Sequence, residues 1–205
     1  MMEFSRCMRD SRKLATNAYS WSKKMTPPTR QPLINAKQRD AITELAFFRV
    51  FSGWEAFLEE TFILYLLGQQ APRGRKPQRY GFPPNEKAAH EWVAEGRDYA
   101  KWGHDEVKKR AERLFRDGHP FSPIIDSHYH RLSQVKTIRN AIAHESLKSR
   151  QKFELLVRNE LTALPPNTTV GSFLLTTKPN THPPVSFLEY YLTEMEQAAQ
   201  KIVPI

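Results

Sequence analysis

From about Asn35 to Leu67 the chain contains no proline, and Leu45, Phe48, Phe51, Glu55, Leu58, Phe62 and Tyr65 recur at steps of three and four. That spacing places them along one face of a helix and predicts a single long amphipathic element. Gly68 stands just past its last turn, where a left-handed residue commonly ends a helix. Gly53 falls inside it. A mid-helix glycine costs about 1 kcal/mol relative to alanine, so the position is expected to mark a close backbone approach.

The rest of the chain reads as helices separated by strong breakers. The segment from Glu3 to about Met25 lacks glycine and proline and suits a helix, which Thr26-Pro27-Pro28 interrupts. Asn85 is placed to cap a short helix to about Glu95, and Asp105 to cap another running to Arg116, closed by Gly118 and Pro120. Pro123 and Asp126 introduce a helix from about Ser127 to Leu147, and one from about Gln151 to Leu161 follows, ended by Pro165-Pro166. Ser186-Phe-Leu-Glu189 is a capping-box pattern opening a last helix to about Val203. Only Val170 to Thr177 has strand character, and a lone strand makes no sheet, so it is expected to be an extended arm. The predicted fold is all-α: one helical domain over residues 1–205, with an N-terminal basic helix in 1–30 and a basic proline-rich loop inserted at 69–84.

The 205 residues hold 31 Lys plus Arg against 22 Asp plus Glu, a net charge of +9. Such a balance points to a polyanionic partner. Cys7 is the only cysteine, so a disulfide framework and a cysteine-based zinc site are excluded. No apolar run approaches the roughly 20 residues of a membrane span, and residues 1–6 offer no secretory pattern; a cytoplasmic protein without membrane partners is expected.

Chemistry concentrates in Lys136-Thr-Ile-Arg139-Asn140-Ala-Ile-Ala-His144-Glu145. Val135, Ile138 and Ile142 step by three and four and are expected to face the core, while small Ala141 and Ala143 let a neighbour approach. Asn140 and His144, four apart, share a helix face. Arg139 lies about 140° around the axis from His144, yet its long side chain can reach the same edge. Histidine can move protons to or from a ribose 2′-hydroxyl or a leaving 5′-oxygen. Arginine can grip a phosphate bidentately and stabilise charge developing on it. Attack by the 2′-hydroxyl needs no metal. Taken alone, the same residues would be a capping arginine and a surface histidine.

The phrase Ile-Arg-Asn-Ala-Ile-Ala-His resembles the signature of the HEPN superfamily, an Arg-x4-His motif with asparagine after the arginine. The stretch Phe51-Ser-Gly-Trp-Glu55-Ala-Phe-Leu-Glu-Glu-Thr-Phe-Ile-Leu-Tyr65-Leu is similar to the earlier long helix of these domains, particularly in the RNase LS-like and phage-defence group. The resemblance implies a helical bundle that dimerises around a composite cleft and acts as a metal-independent endoribonuclease, in a toxin or a phage-defence effector. It implies no cofactor. By position it makes Arg139 and His144 the catalytic pair and Asn140 the residue that holds them in register. Glu55 matches an acidic position where it would orient Arg139, although it reads equally well as a solvated or arginine-paired carboxylate. In HEPN toxins whose antitoxin is a nucleotidyltransferase, the residue two after the histidine is often a modified tyrosine. Here it is Ser146, so neutralisation by that route is not expected; a standalone effector, or one controlled differently by an antitoxin or regulatory protein, is. The alternative reading is a non-catalytic HEPN module binding RNA or a partner protein.

Residues 131–158 hold seven basic and two acidic residues, and 69–79 hold Arg73, Arg75, Lys76 and Arg79 with no acid. With Lys136, Lys148 and Arg150, these four are expected to contact RNA phosphates without sequence preference. Trp54 is expected in the core or an interface, while Trp21, Trp92 and Trp102 are candidates for stacking on bases. His128-Tyr129-His130 places its two imidazoles about 200° apart on a helix, with Asp126 the only carboxylate at a partner spacing, so no metal site is expected.

Overall fold

A computed structural model describes Met1–Pro27, Arg30–His144 and Ser146–Pro204. Pro28, part of the expected break after the first helix, and Glu145, in the motif segment, lie outside the described residues. Eight helices are present among those described: α1 (Met2–Lys23), α2 (Ala36–Leu66), α3 (Glu86–Ala94), α4 (His104–Leu114), α5 (Phe121–Ala143), α6 (Leu147–Leu161), α7 (Val170–Leu175) and α8 (Phe187–Ile202). A two-residue antiparallel pair joins β1 (Met25–Thr26) to β2 (Gln31–Pro32), with Met25 opposite Pro32. The fold is all-α.

The chain divides into two compact units. One comprises Gly53–Leu132 and the chain from Glu194 onward, with Met1; the other comprises Met2–Ser52 and Ser133–Thr193.

The first unit is built around aromatic rings. Phe62 is fully buried, with Phe121 at 5.0 Å, Phe115 at 5.1 Å and Trp102 at 5.7 Å between ring centroids. The Phe115 and Trp102 contacts are edge-on, the geometry that ring quadrupoles favour. The Tyr65 hydroxyl donates to the Ile202 carbonyl at 2.8 Å. Burial pushes its pKa up from 10.0 to about 12. Arg110 on α4 is buried, donates from Nη1 to the Lys101 carbonyl at 2.5 Å and lies 5.1 Å from the Trp102 ring; burial lowers its pKa.

Caps explain where these helices begin and end. Asn85 accepts from the Ala88 amide, and Glu95 closes α3 in the left-handed region. Gly68 ends α2 at φ +92°, and a Cβ there would lie 2.7 Å from the Arg79 guanidinium. Arg79 needs that space because its Nη1 donates to the Leu66 carbonyl at 2.6 Å, satisfying one of the acceptors that every helix leaves open at its C-terminus. Its backbone bridges to Phe115. The basic loop is thus tied down at 78–80, where Tyr80 and Arg116 also exchange backbone hydrogen bonds with Leu114 and Gln78.

In the second unit Phe173 stacks on Phe187 at 4.3 Å and meets Phe153 edge-on at 5.7 Å. Glu160 and Lys178 form a largely buried pair at 2.7 Å, with Gln134 Nε2 donating to the same carboxylate at 2.6 Å. Such a charge pair is tolerable because further polar groups complete it.

Four expectations are corrected. Val170–Leu175 is helical, not an extended arm: Thr169 caps it, accepting from the Ser172 amide while its own amide donates to the Ser172 hydroxyl. Extension begins only afterwards, in a bridge from Thr177 to Ser186. Second, α5 starts at Phe121 rather than Ser127, since Pro123 sits in the first turn, where a missing N–H costs nothing. It ends at Ala143, and Ser146 caps a separate α6 that starts at Leu147 rather than Gln151. Third, α4 is capped by Gly103, with Asp105 inside the first turn. Fourth, on α2 Leu45 is exposed and Phe48 half-buried, while Phe47, Val50 and Trp54 are buried beside Phe51 and Leu58. A close backbone approach is seen at Gly171, where a Cβ would lie 2.3 Å from the Asp40 carbonyl oxygen.

Candidate functional site

The motif lies at the C-terminal end of α5 in the second unit. Val135 and Ile138 are buried as the spacing predicts, whereas Ile142 is only half-buried because the helix ends one residue later. His144 lies just past the last helical residue, but its amide donates to the Asn140 carbonyl at 3.0 Å. It therefore remains one turn above Asn140, with its side chain exposed.

Arg139 is held in an unusual way. Its guanidinium carbon lies 5.4 Å from the Phe51 ring and 5.7 Å from the Phe48 ring, cation–π distances that fix the planar group without using its donors. Nη1 donates to Asn140 Oδ1 at 3.3 Å. Nε is buried and has no hydrogen-bond partner among the described residues. A buried orphan donor costs about 1–3 kcal/mol, and such groups in native structures call for an explanation. Arg139 and Asn140 are brought together; Arg139 bonds to Asn140 and not to His144. Phe48 and Phe51 are the residues that reading the motif alone omits. Their three-residue spacing on α2 is a core signal, and nothing in it singles out an arginine as their partner.

The other expected site residues divide. Glu55 is half-buried on α2 and Lys136 half-buried on α5. Lys148 is exposed on α6. Arg150 is exposed and pairs with Glu154 one turn on, Nε to Oε1 3.0 Å. Arg73, Arg75 and Lys76 are exposed in the basic loop of the first unit. Arg79 departs from the expectation, because its guanidinium holds the end of α2 and lies 4.8 Å from the Phe82 ring. Trp54 and Trp102 belong to the core, whereas Trp21 and Trp92 are exposed.

His128 and His130 differ as their spacing predicts, the first buried and the second exposed. His128 has long-range partners that the sequence did not signal. Its Nδ1 lies 3.0 Å from Glu194 Oε2, and Lys201 Nζ lies 3.0 Å from its Nε2. Because an ammonium only donates, Nε2 accepts and Nδ1–H donates to Glu194. Among the described residues no group of three His, Cys, Asp or Glu side chains is disposed to hold a metal, and no helix is long and apolar enough to cross a membrane.

No family model, curated protein or solved structure matches this chain.

Proposed function

We propose that this chain is a metal-independent endoribonuclease of the HEPN type, acting as a homodimer in the cytoplasm as a toxin or phage-defence effector. The observation that carries the reading is Arg139. Its guanidinium lies over two aromatic rings, keeps a buried Nε–H without a partner among the described residues, and lies next to Asn140 one turn before the exposed His144. A phosphoryl oxygen is the acceptor such a fork suits.

In the proposed reaction an imidazole of His144 takes the proton of a ribose 2′-hydroxyl. The 2′-oxygen attacks the adjacent phosphorus, the bond to the 5′-oxygen breaks, and a protonated His144, supplied by the partner copy, gives that oxygen its proton. Arg139 carries the charge that grows on the non-bridging oxygens, and Asn140 fixes its orientation. The products are a 2′,3′-cyclic phosphate and a 5′-hydroxyl. Lys136, Lys148, Arg73, Arg75 and Lys76 would supply phosphate contacts without base preference.

The test is incubation of the purified protein with total cellular RNA in EDTA, beside His144→Ala and Arg139→Ala. Cleavage by the wild type alone, leaving 5′-hydroxyl ends, is expected. Cleavage that persists in His144→Ala overturns the assignment. RNA that is shifted on a gel but left intact by the wild type would make the chain a binding module.

A further inference from the structure

The first unit carries a cavity that the motif does not use. It measures about 400 Å³ and is lined by Arg75, Lys76 and Gln78 of the basic loop and by Arg116, Asp117 and His119 beyond α4. Three permanent cations face one carboxylate, so the lining carries +2. Arg116 is already placed: Nη1 donates to Gln78 Oε1 at 2.9 Å, and its amide donates to the Gln78 carbonyl at 2.9 Å. Asp117 does little to neutralise it, with 3.9 Å between Oδ2 and Arg116 Nε and 87% of its side chain exposed. Among the described residues neither Arg75 nor Lys76 forms an ion pair with an acid.

Arg75 and His119 also line a second cavity, of about 360 Å³, whose other walls include Tyr65, Pro120, Lys201 and Pro204. Volumes of roughly 300–1,000 Å³ are usual for small-molecule sites. Arg75 and His119 are common to both linings, Lys201 adds a cation to the second, and prolines line both, Pro77 and Pro123 in the first and Pro120 and Pro204 in the second. Cations set beside ring surface suit a ligand with a charged end and a flat, less polar body.

We propose that these joined cavities bind a terminal phosphate, the phosphomonoester of a nucleotide, with its sugar and base against Pro120 and Pro204. A phosphodiester carries one negative charge, whereas a phosphomonoester near neutral pH carries between 1.5 and 2 by the usual second ionisation near pH 6 (roughly). The +2 lining therefore favours an end over an internal linkage, and the guanidinium held by Gln78 offers the bidentate fork that phosphate oxygens accept. The inference does not rest on the ribonuclease reading, since none of these residues belongs to the motif.

The same phosphate could arrive on a free nucleotide or on the 5′ end of an RNA, and the measurement separates the two. Affinities are compared by fluorescence anisotropy for a 2′-O-methylated oligomer, which 2′-hydroxyl chemistry cannot cut, bearing a 5′-phosphate or a 5′-hydroxyl. AMP and adenosine are titrated alongside by calorimetry. At least tenfold tighter binding of the phosphorylated oligomer, with AMP competing, identifies an RNA end. Binding of AMP but not adenosine, without an oligomer preference, identifies a free nucleotide. Lys76→Ala and Arg116→Gln are each expected to erase the preference, while Arg139→Ala leaves it unchanged. Lys76 is exposed, so its variant remains informative if Arg116→Gln fails to fold. Equal affinity for the two oligomers together with no AMP binding at millimolar concentration overturns the proposal, as does a preference that survives Lys76→Ala.

Discussion

Arg110 and Arg139 both lie over aromatic rings, and they end differently. Arg110, in the first unit, is buried on Trp102 and gives a donor to the Lys101 carbonyl. Arg139, in the second, is half-buried on Phe48 and Phe51, bonds weakly to Asn140 and leaves Nε unsatisfied among the described residues. The first has given a donor to the fold. The second retains capacity that the fold has desolvated but not used. A guanidinium contributes to stability when its donors are answered from within, and it can serve a ligand when they are not.

The comparison is broken most forcefully by exchanging the outcomes. Arg139→Ala is expected to lower RNA cleavage by at least about 10³-fold, near 4 kcal/mol of barrier, with a melting temperature close to the wild type; gel-based cleavage rates and thermal unfolding check the two halves. Arg110→Ala is expected to do the reverse. Loss of its packing on Trp102, together with an orphaned Lys101 carbonyl, should cost about 2–3 kcal/mol in urea unfolding, with cleavage per folded molecule unchanged. If Arg110→Ala instead abolished cleavage at full stability, the division between the two arginines would fail.

A subtler probe uses Tyr65, which shares a unit with Arg110 and likewise has its polar group answered from within. Its phenol titrates near 12 when folded and 10.0 when unfolded. The stabilisation is therefore complete below pH 10 and is lost as pH rises through about 12, an alkaline decline of about 2–3 kcal/mol. Tyr65→Phe should flatten that limb and cost about 1 kcal/mol at pH 7 through the abandoned Ile202 carbonyl; denaturant melts at pH 7 and pH 11 distinguish the two effects. The smallest change is expected from Phe48→Leu. Losing one of the two rings under Arg139 should loosen the guanidinium and slow cleavage by about fivefold, near 1 kcal/mol, with substrate affinity the lesser component. Steady-state kinetics on a single oligoribonucleotide would show it.

Local signals carried most of the helices. Asn85 announces α3, Ser186 with Glu189 announces α8, and Gly68 ends α2 because short-range chemistry acts there. Val170–Leu175 misled because Val, Phe and Thr suit strands, yet the decisive feature was the Thr169–Ser172 cap in the same few residues. Pro123 misled in the opposite sense, marking a helix's first turn rather than its approach. At the motif, the segment holding Arg139 and Asn140 was legible from spacing. Its aromatic seat was not, since α2 and α5 meet there across more than eighty residues of intervening sequence. The Glu194–His128–Lys201 chain escaped for the same reason: each residue looks like ordinary helix surface until α8 is laid beside α5.

The grip of Arg79 on the last carbonyl of α2 bears on how this chain could be shortened. An engineer trimming the proline-rich loop as a dispensable decoration would remove the clasp that keeps the end of the longest helix wound. Fraying would start at Leu66, next to the Tyr65 hydroxyl and the aromatic cluster around Phe62. A compact derivative must therefore bring its own fastening, a lysine or arginine placed after Gly68 at the same reach, before any of the loop can be discarded.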